Sequence, residues 1–161
     1  MAHFYLVGCV KSKRPTPARA ADLYTSALFR KSRRLAELRS DRWYILSAKH
    51  GLVAPDVTMA PYDDTLKCMA AATRRTWSQK VLCQLLECLS PGDEVTVLAG
   101  ERYREHLVPA LQRAGHRVHV PMRGLSIGRQ LQWLDERLNC DDVDVALLHE
   151  SEDEPDIELL D

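Results

Sequence analysis

The 161-residue sequence predicts an α/β domain: a single three-layer sandwich built on a mainly parallel four-stranded sheet. Three observations predict it. Four short apolar runs, residues 3–7, 43–46, 94–99 and 117–120, have the length of buried strands and end at a glycine, a proline or a polar residue. Longer stretches whose apolar residues recur every three or four positions separate them, the alternation expected of parallel strands joined by crossover helices. A chain of this length is one domain's worth and buries roughly 70% of the surface its unfolded form exposes, so it needs no staples to fold.

Residues 3–7 (HFYLV) run into Gly8-Cys9-Val10-Lys11-Ser12-Lys13-Arg14, a basic, glycine-containing loop suited to cradling an anion. The GxxxxGK[ST] spacing of a P-loop is absent. Pro15 and Pro17 delay any helix to residue 18. Residues 18–38 then read as one or two helices with Leu23, Ala27, Leu28, Leu35 and Leu38 buried and Arg30, Ser32, Arg33 and Arg34 outward. Residues 43–46 (WYIL) form the second strand and give way to the loop Ser47-Ala48-Lys49-His50-Gly51-Leu52. After Pro61-Tyr62-Asp63-Asp64-Thr65, residues 66–89 are the clearest helix, stopped by Ser90-Pro91-Gly92. The third strand, 94–99, leads through Gly100 into an amphipathic helix ending at Gly115. The fourth, 117–120, leads into a glycine-punctuated loop holding Arg123, Gly124 and Gly128, and then a helix over 129–138 with Leu131, Leu134 and Leu138 inward. Residues 143–148 (VDVALL) fit one more strand, and 150–161 read as disordered by their charge and low hydrophobicity.

The near-zero net charge hides an asymmetry. Residues 141–161 carry ten acidic side chains and no Lys or Arg, which leaves residues 1–140 with all 22 basic groups against 13 acidic ones. The sequence thus divides into a basic α/β domain, 1–140, and an acidic, partly disordered tail, 141–161. A body carrying about +9 attracts polyanions, and the expected partner is DNA or a nucleotide. Five cysteines, odd in number and without a CxxC pair, predict a reduced, cytoplasmic protein with no metal site; Cys68, Cys83 and Cys88 read as core fillers on helices. The first residues hold an apolar run far shorter than the roughly 20 residues of a membrane span, so neither a signal peptide nor a membrane partner is expected.

In a parallel sheet the polar loops 8–14, 47–52, 100–103 and 121–128 fall on one edge, where such folds bind ligands. The chain uses 16 Arg and only 6 Lys, yet Lys11, Lys13 and Lys49 lie in two of these loops. A lysine among other cations serves as phosphate donor, the plainer role, or as an amine with a lowered pKa. Cys9 beside those lysines is either a pocket-lining residue or an activated thiol. Asp63 is the best-placed carboxylate, its structural alternative being a cap for the helix at 66, shared with Asp64 and Thr65. His50 beside Gly51 can act as acid, base or donor. Tyr62 and Tyr103 offer faces for stacking a base, or belong to the core. Zinc-hydrolase, serine-hydrolase, kinase and dinucleotide fingerprints are absent.

Several of these residues fall into a pattern: Cys9-x-Lys11-Ser12-Lys13, Ala21-x-Leu23-Tyr24-x-Ser26-x-x-Phe29, Ile45-Leu46-Ser47-Ala48-Lys49-His50-Gly51-Leu52, Pro61-Tyr62-Asp63-x-Thr65-Leu66 and Gly124-Leu125-x-Ile127-Gly128-x-x-x-x-Trp133-Leu134. Over residues 4–138 this resembles a small bacterial and phage domain family of uncharacterised activity. That family is distantly similar to the uracil-DNA-glycosylase-like fold and to the nucleobase-handling domain of archaeosine synthases. GCVKSK stands where the glycosylases carry their water-activating GQDPY. The resemblance implies base excision, in anti-phage defence among other settings, and adds Tyr24 and Ser26 to the substrate-binding candidates.

Two functions from different classes follow. The first is a DNA N-glycosylase acting on a base, modified bases included, with Asp63 stabilising the sugar cation or positioning water, Lys49 and His50 holding the departing base or a flanking phosphate, and no cofactor. Lys11 and Lys13 would grip the backbone, and Ser47, Gly51, Arg123 and the late glycines would line the cleft. The second is a non-catalytic nucleotide- or DNA-binding module using the same edge. Thiol chemistry at Cys9 is a third, lesser reading.

Overall fold

A computed structural model describes the backbone of residues 1–152 and the side-chain surroundings of residues 1–140. Its centre is β1 (His3–Gly8), whose Phe4, Tyr5, Leu6 and Val7 are all buried, the two-faced burial of an inner parallel strand. β1 pairs in parallel with β3 (Arg42–Ser47) on one side and β6 (Glu94–Leu98) on the other, and β6 pairs in parallel with β7 (Arg117–His119). The register aligns Gly8 with Leu46 and Val7 with Leu98, so the carboxyl ends of these strands share one edge.

The sheet has five strands, in the order β4-β3-β1-β6-β7, and is mixed rather than the four-stranded sheet expected. The added strand, β4 (Gly51–Val53), runs antiparallel to β3 with Ser47 opposite Gly51. It occupies part of what the sequence presents as a loop. Three residues are too few for alternation to register, and the pairing comes from a tight turn over 48–50. A second sheet pairs β2 (Ala18–Arg19) with β5 (Thr58–Met59), also antiparallel.

Helix boundaries follow local chemistry. Residues 18–38 divide into β2, a single turn α1 (Ala20–Leu23) and α2 (Ala27–Arg39), because Ser26 starts a new helix by accepting the Phe29 N–H at 3.1 Å. On α2 the buried side holds Phe29, Ser32, Leu35 and Ala36, whereas Leu38 is exposed, a rotation from the expected face. The expected helix over 66–89 is a 3₁₀ turn (Leu66–Cys68) and α3 (Ala71–Cys88), with Met69 and Ala70 extended between them. Arg74 donates to the Met69 carbonyl at 2.5 Å and holds that interruption. Thr65 caps the turn, its hydroxyl accepting from Lys67 N at 3.4 Å, so the cap is neither Asp63 nor Asp64. The helix after β6 is split into α4 (Glu101–Arg104) and α5 (Leu107–Arg113), since Pro109 has no N–H to give the Glu105 carbonyl. α6 runs Ile127–Glu152 without a glycine or proline stop after Gly128, so residues 143–148 are helical rather than a strand. The rest of the expected disordered tail, 153–161, lies outside the described residues.

α2 packs on β1, β3 and α6, while α3 packs on β4, α4 and α5, and α5 on β7. With right-handed crossovers these two groups cover opposite faces of the sheet. Cys68 and Cys83 are exposed and Cys88 is half-buried, so neither of the first two fills the core; Cys9 is the buried thiol. Among the described residues no helix is long and apolar enough to cross a membrane.

Candidate functional site

β1 connects through α2 to β3 on one side, while β6 lies on the other, so the connections diverge between β1 and β6. In open α/β sheets the crevice outside the strand ends at such a switch point is where ligands bind. The two ends approach closely here: a Cβ on Gly8 would sit 2.9 Å from the Ala99 Cβ. A cavity of about 50 Å³ lies directly beyond, between Gly8, Cys9, Phe29, Gly100 and Met122. It shares Ala99, Gly100, Met122 and Gln130 with a larger crevice of about 440 Å³ lined also by Glu101, Arg104, Gly124 and Ser126.

Beside the switch point the structure gathers five buried polar side chains. Ser47 donates to the Tyr62 hydroxyl at 2.7 Å, and Tyr62 and Tyr24 share a hydrogen bond at 2.5 Å. The Ser47 oxygen accepts the His50 N–H at 3.0 Å, and Trp77 Nε1 donates to the Ser47 carbonyl at 2.8 Å, which fixes the end of β3. Cys9 Sγ lies 3.3 Å from the Tyr103 hydroxyl, against which Thr65 and the Leu66 backbone also pack. Burial pushes the Tyr24 phenol up to about 12, eased by the Tyr62 and Ser47 hydroxyls. Burial, and then the Cys9 thiol, raise Tyr62 and Tyr103 further. All three phenols therefore stay protonated through the ordinary pH range and act as neutral donors.

Charge lies on the solvent side of this floor. Lys13 Nζ sits 4.6 Å from the Tyr62 ring centroid and 5.7 Å from that of Tyr24, and it donates to the Lys11 carbonyl at 3.2 Å. The His50 ring meets Tyr62 edge-on at 5.5 Å. Residues 62–65 run from Tyr62, bonded to Ser47, to Thr65, which bonds the Tyr103 hydroxyl, so Asp63 and Asp64, both exposed, lie between two anchored residues. Among the described residues Asp63 has no hydrogen bond or ion pair.

The sequence candidates separate accordingly. Cys9, Tyr24, Ser47, Tyr62 and Tyr103 meet, with Lys13 and His50 against them. Lys49 is exposed and lines, with His50, a different cleft of about 450 Å³ whose walls are Leu52, Val53, Val57 and Met59. Neither Tyr62 nor Tyr103 is an open stacking platform, since they are only 6% and 7% exposed and Tyr103 meets Trp77 edge-on. Ser26 is spent as the α2 cap, and Ser12 acts through its carbonyl, which accepts from Thr25 N at 3.0 Å. Gly51 serves the turn into β4 at φ +78°. Arg123, Gly124 and Gly128 are all exposed, and of the three only Gly124 lines the crevice. Gly100 and Ser126 lie in strand-end loops that the sequence assigns to this edge, though neither is singled out there as a site residue; Arg104 and Gln130 lie outside those loops, and sequence reasoning missed them. The signal that marks them is a glycine directly after a strand and an arginine one helical turn later, which alone is common.

Residues 4–136 match a family described as "Family of unknown function (DUF6884)". The sequence is similar to the uncharacterized protein YfjM of Bacillus subtilis strain 168, 32% identical over 127 residues, which cover 74% of this chain and 79% of that protein. No solved structure gives a significant match.

Proposed function

The chain belongs to DUF6884, a family of unknown function, and we propose from its strand-end geometry that it is a DNA N-glycosylase, cutting a modified nucleobase from its sugar to leave an abasic site. The observation that carries the reading is Asp63, an exposed carboxylate with no hydrogen bond or ion pair among the described residues, next in the chain to Tyr62, whose ring receives both Lys13 and His50. Breaking a glycosidic C–N bond leaves its electron pair on the departing base and positive charge on the sugar. A carboxylate beside C1′ stabilises that charge and takes a proton from the water that adds there. Ammonium and imidazole donors stabilise the departing base anion, which leaves with a proton from solvent or from one of them.

The cleft that Lys49 and His50 line with Leu52, Val53, Val57 and Met59 suits an extruded base: a largely apolar lining and two cationic or polar groups for its edge. The resemblance to nucleobase-handling folds and the basic body of residues 1–140 support DNA as substrate, in the cytoplasm and in defence against phage. No step uses a cofactor.

The test is incubation with unmodified and base-modified phage DNA, followed by mass spectrometry of the small-molecule fraction. Wild-type protein releases free base and leaves alkali-labile sites. Asp63→Asn lowers release by roughly 10²- to 10⁴-fold, the range for losing a positioned acid–base group, while the folded circular dichroism spectrum is kept. Binding with unchanged substrate mass on every DNA tried would replace this reading with a non-catalytic DNA- or nucleotide-binding module at the same edge.

A further inference from the structure

The larger switch-point crevice contains a group the glycosidic chemistry does not use. Arg104 lines it, half-buried, with its Nε shielded from solvent and without a hydrogen-bond partner. Among the described residues its guanidinium makes no hydrogen bond and no ion pair at all. The neighbouring arginines contrast with it: Arg102 pairs with Glu105 at 3.3 Å, and Arg74 pairs with Glu105 at 2.7 Å. A partly dehydrated guanidinium with five donors and no acceptor is costly unless an anion completes it.

Beside apolar walls from Val97, Val120, Met122 and Leu125, the crevice presents further polar groups near Arg104. Gly100 leaves its side open, since a Cβ there would meet nothing within 4 Å. Ser126 faces it with a hydroxyl that accepts from Arg129 N at 3.3 Å and keeps its own hydrogen to give. Gln130 is tied at its amide nitrogen to the Leu125 carbonyl at 2.9 Å. Glu101 is the one carboxylate on the wall, exposed at the mouth, where it opposes an anion and suits a sugar hydroxyl.

We infer that this crevice is a phosphoryl-binding site, with Arg104 as its anion ligand and Ser126 as a second donor. Phosphate binding and base release are separable, so this site stands or falls on its own measurement.

The experiment is calorimetric titration of the full chain with inorganic phosphate, a 5′-deoxynucleoside monophosphate, the matching deoxynucleoside, and an oligonucleotide lacking terminal phosphates, at constant ionic strength. Arg104→Gln weakens phosphate and mononucleotide binding by at least about tenfold, as loss of a charge-assisted fork does. Arg104→Lys, which keeps charge without the fork, falls between. Glu101→Gln tightens binding. Arg113→Gln, at the far end of α5, leaves it unchanged. The melting temperature of unliganded Arg104→Gln equals or exceeds that of wild type, because no native bond is lost, and that comparison excludes misfolding. Mononucleotide binding tighter than phosphate assigns the site to a terminal nucleotide phosphate, and equal affinities assign it to the free anion. Arg104-dependent oligonucleotide binding assigns it to the DNA backbone. Absence of phosphate, mononucleotide and Arg104-dependent oligonucleotide binding, or equal losses in Arg104→Gln and Arg113→Gln, overturns the site.

Discussion

Tyr62 joins more of this molecule than any other single side chain in the site. Its hydroxyl takes the Ser47 proton, bonds Tyr24, and its ring receives Lys13 and His50. Removing that oxygen leaves two buried hydroxyls short of a partner, which costs about 1–3 kcal/mol. Tyr62→Phe should therefore lower the unfolding free energy by that amount, seen as a lower urea midpoint with an unchanged m-value, and Tyr24→Phe should shift it in the same direction. Ser78 gives the opposite case. Its Oγ is buried on α3 without a partner, so Ser78→Ala should stabilise by up to about 1 kcal/mol in the same measurement. The sequence shows Cys9 and Ser47 as residues just past strand ends, and that part of the site is legible because strand ends are legible; Tyr62 stands out only through the Pro61-Tyr62-Asp63 motif. It does not show that the tyrosines are buried. An aromatic ring has the same sequence signature whether its hydroxyl faces water or Ser47, and only packing against Trp77, Phe29 and Leu66 decides.

Apolar runs identify the parallel strands at the scale of elements, and what they miss is whatever tertiary contacts impose. β4 exists because Gly51 turns at φ +78° and Gln84 on α3 accepts the Leu52 N–H at 2.9 Å. A Cβ at Gly51 would lie 2.7 Å from that same Gln84 oxygen. Gly51→Ala should cost at least about 1–2 kcal/mol from the left-handed backbone alone, and should loosen β4 by the measure of faster amide exchange at Leu52. The break before α3 has a similar origin. Arg74 reaches back to Met69 and across to Glu105, a pair whose side chains are 13% and 20% exposed. The Arg74 guanidinium holds the Glu105 carboxyl below its usual value. The unfolded chain therefore takes up this proton at higher pH than the folded one. The pair's contribution is complete above the ordinary carboxylate range and fades as pH falls through the lowered value. Melting temperature against pH should be flatter on the acid side in Glu105→Gln than in wild type.

Charge and burial act together on the whole molecule. Tyr24, Tyr62 and Tyr103 keep their protons longer folded than unfolded, since burial disfavours each phenolate. Stability from this source is complete below about pH 10 and declines above it, as unfolded phenols ionise and folded ones do not. In an alkaline titration the tyrosinate absorbance of these three should rise together with loss of the folded circular dichroism signal, not before it. Separate titration of any one would mean that its hydroxyl is open to solvent. The larger charge pattern sits along the chain: a body of about +9 over residues 1–140 and ten carboxylates after it. On the proposed reading, a tethered acidic segment would compete with DNA for the same cations at high effective concentration. Truncation after residue 140 should then tighten DNA binding at low salt and steepen its dependence on salt, because more counterions are released from the DNA when the basic edge is unmasked. The comparison is a pair of salt titrations, full length and truncated, on one duplex. Coincident curves would show that the carboxylates never reach the strand-end surface, and steeper, higher-affinity binding by the shorter chain would show that they do.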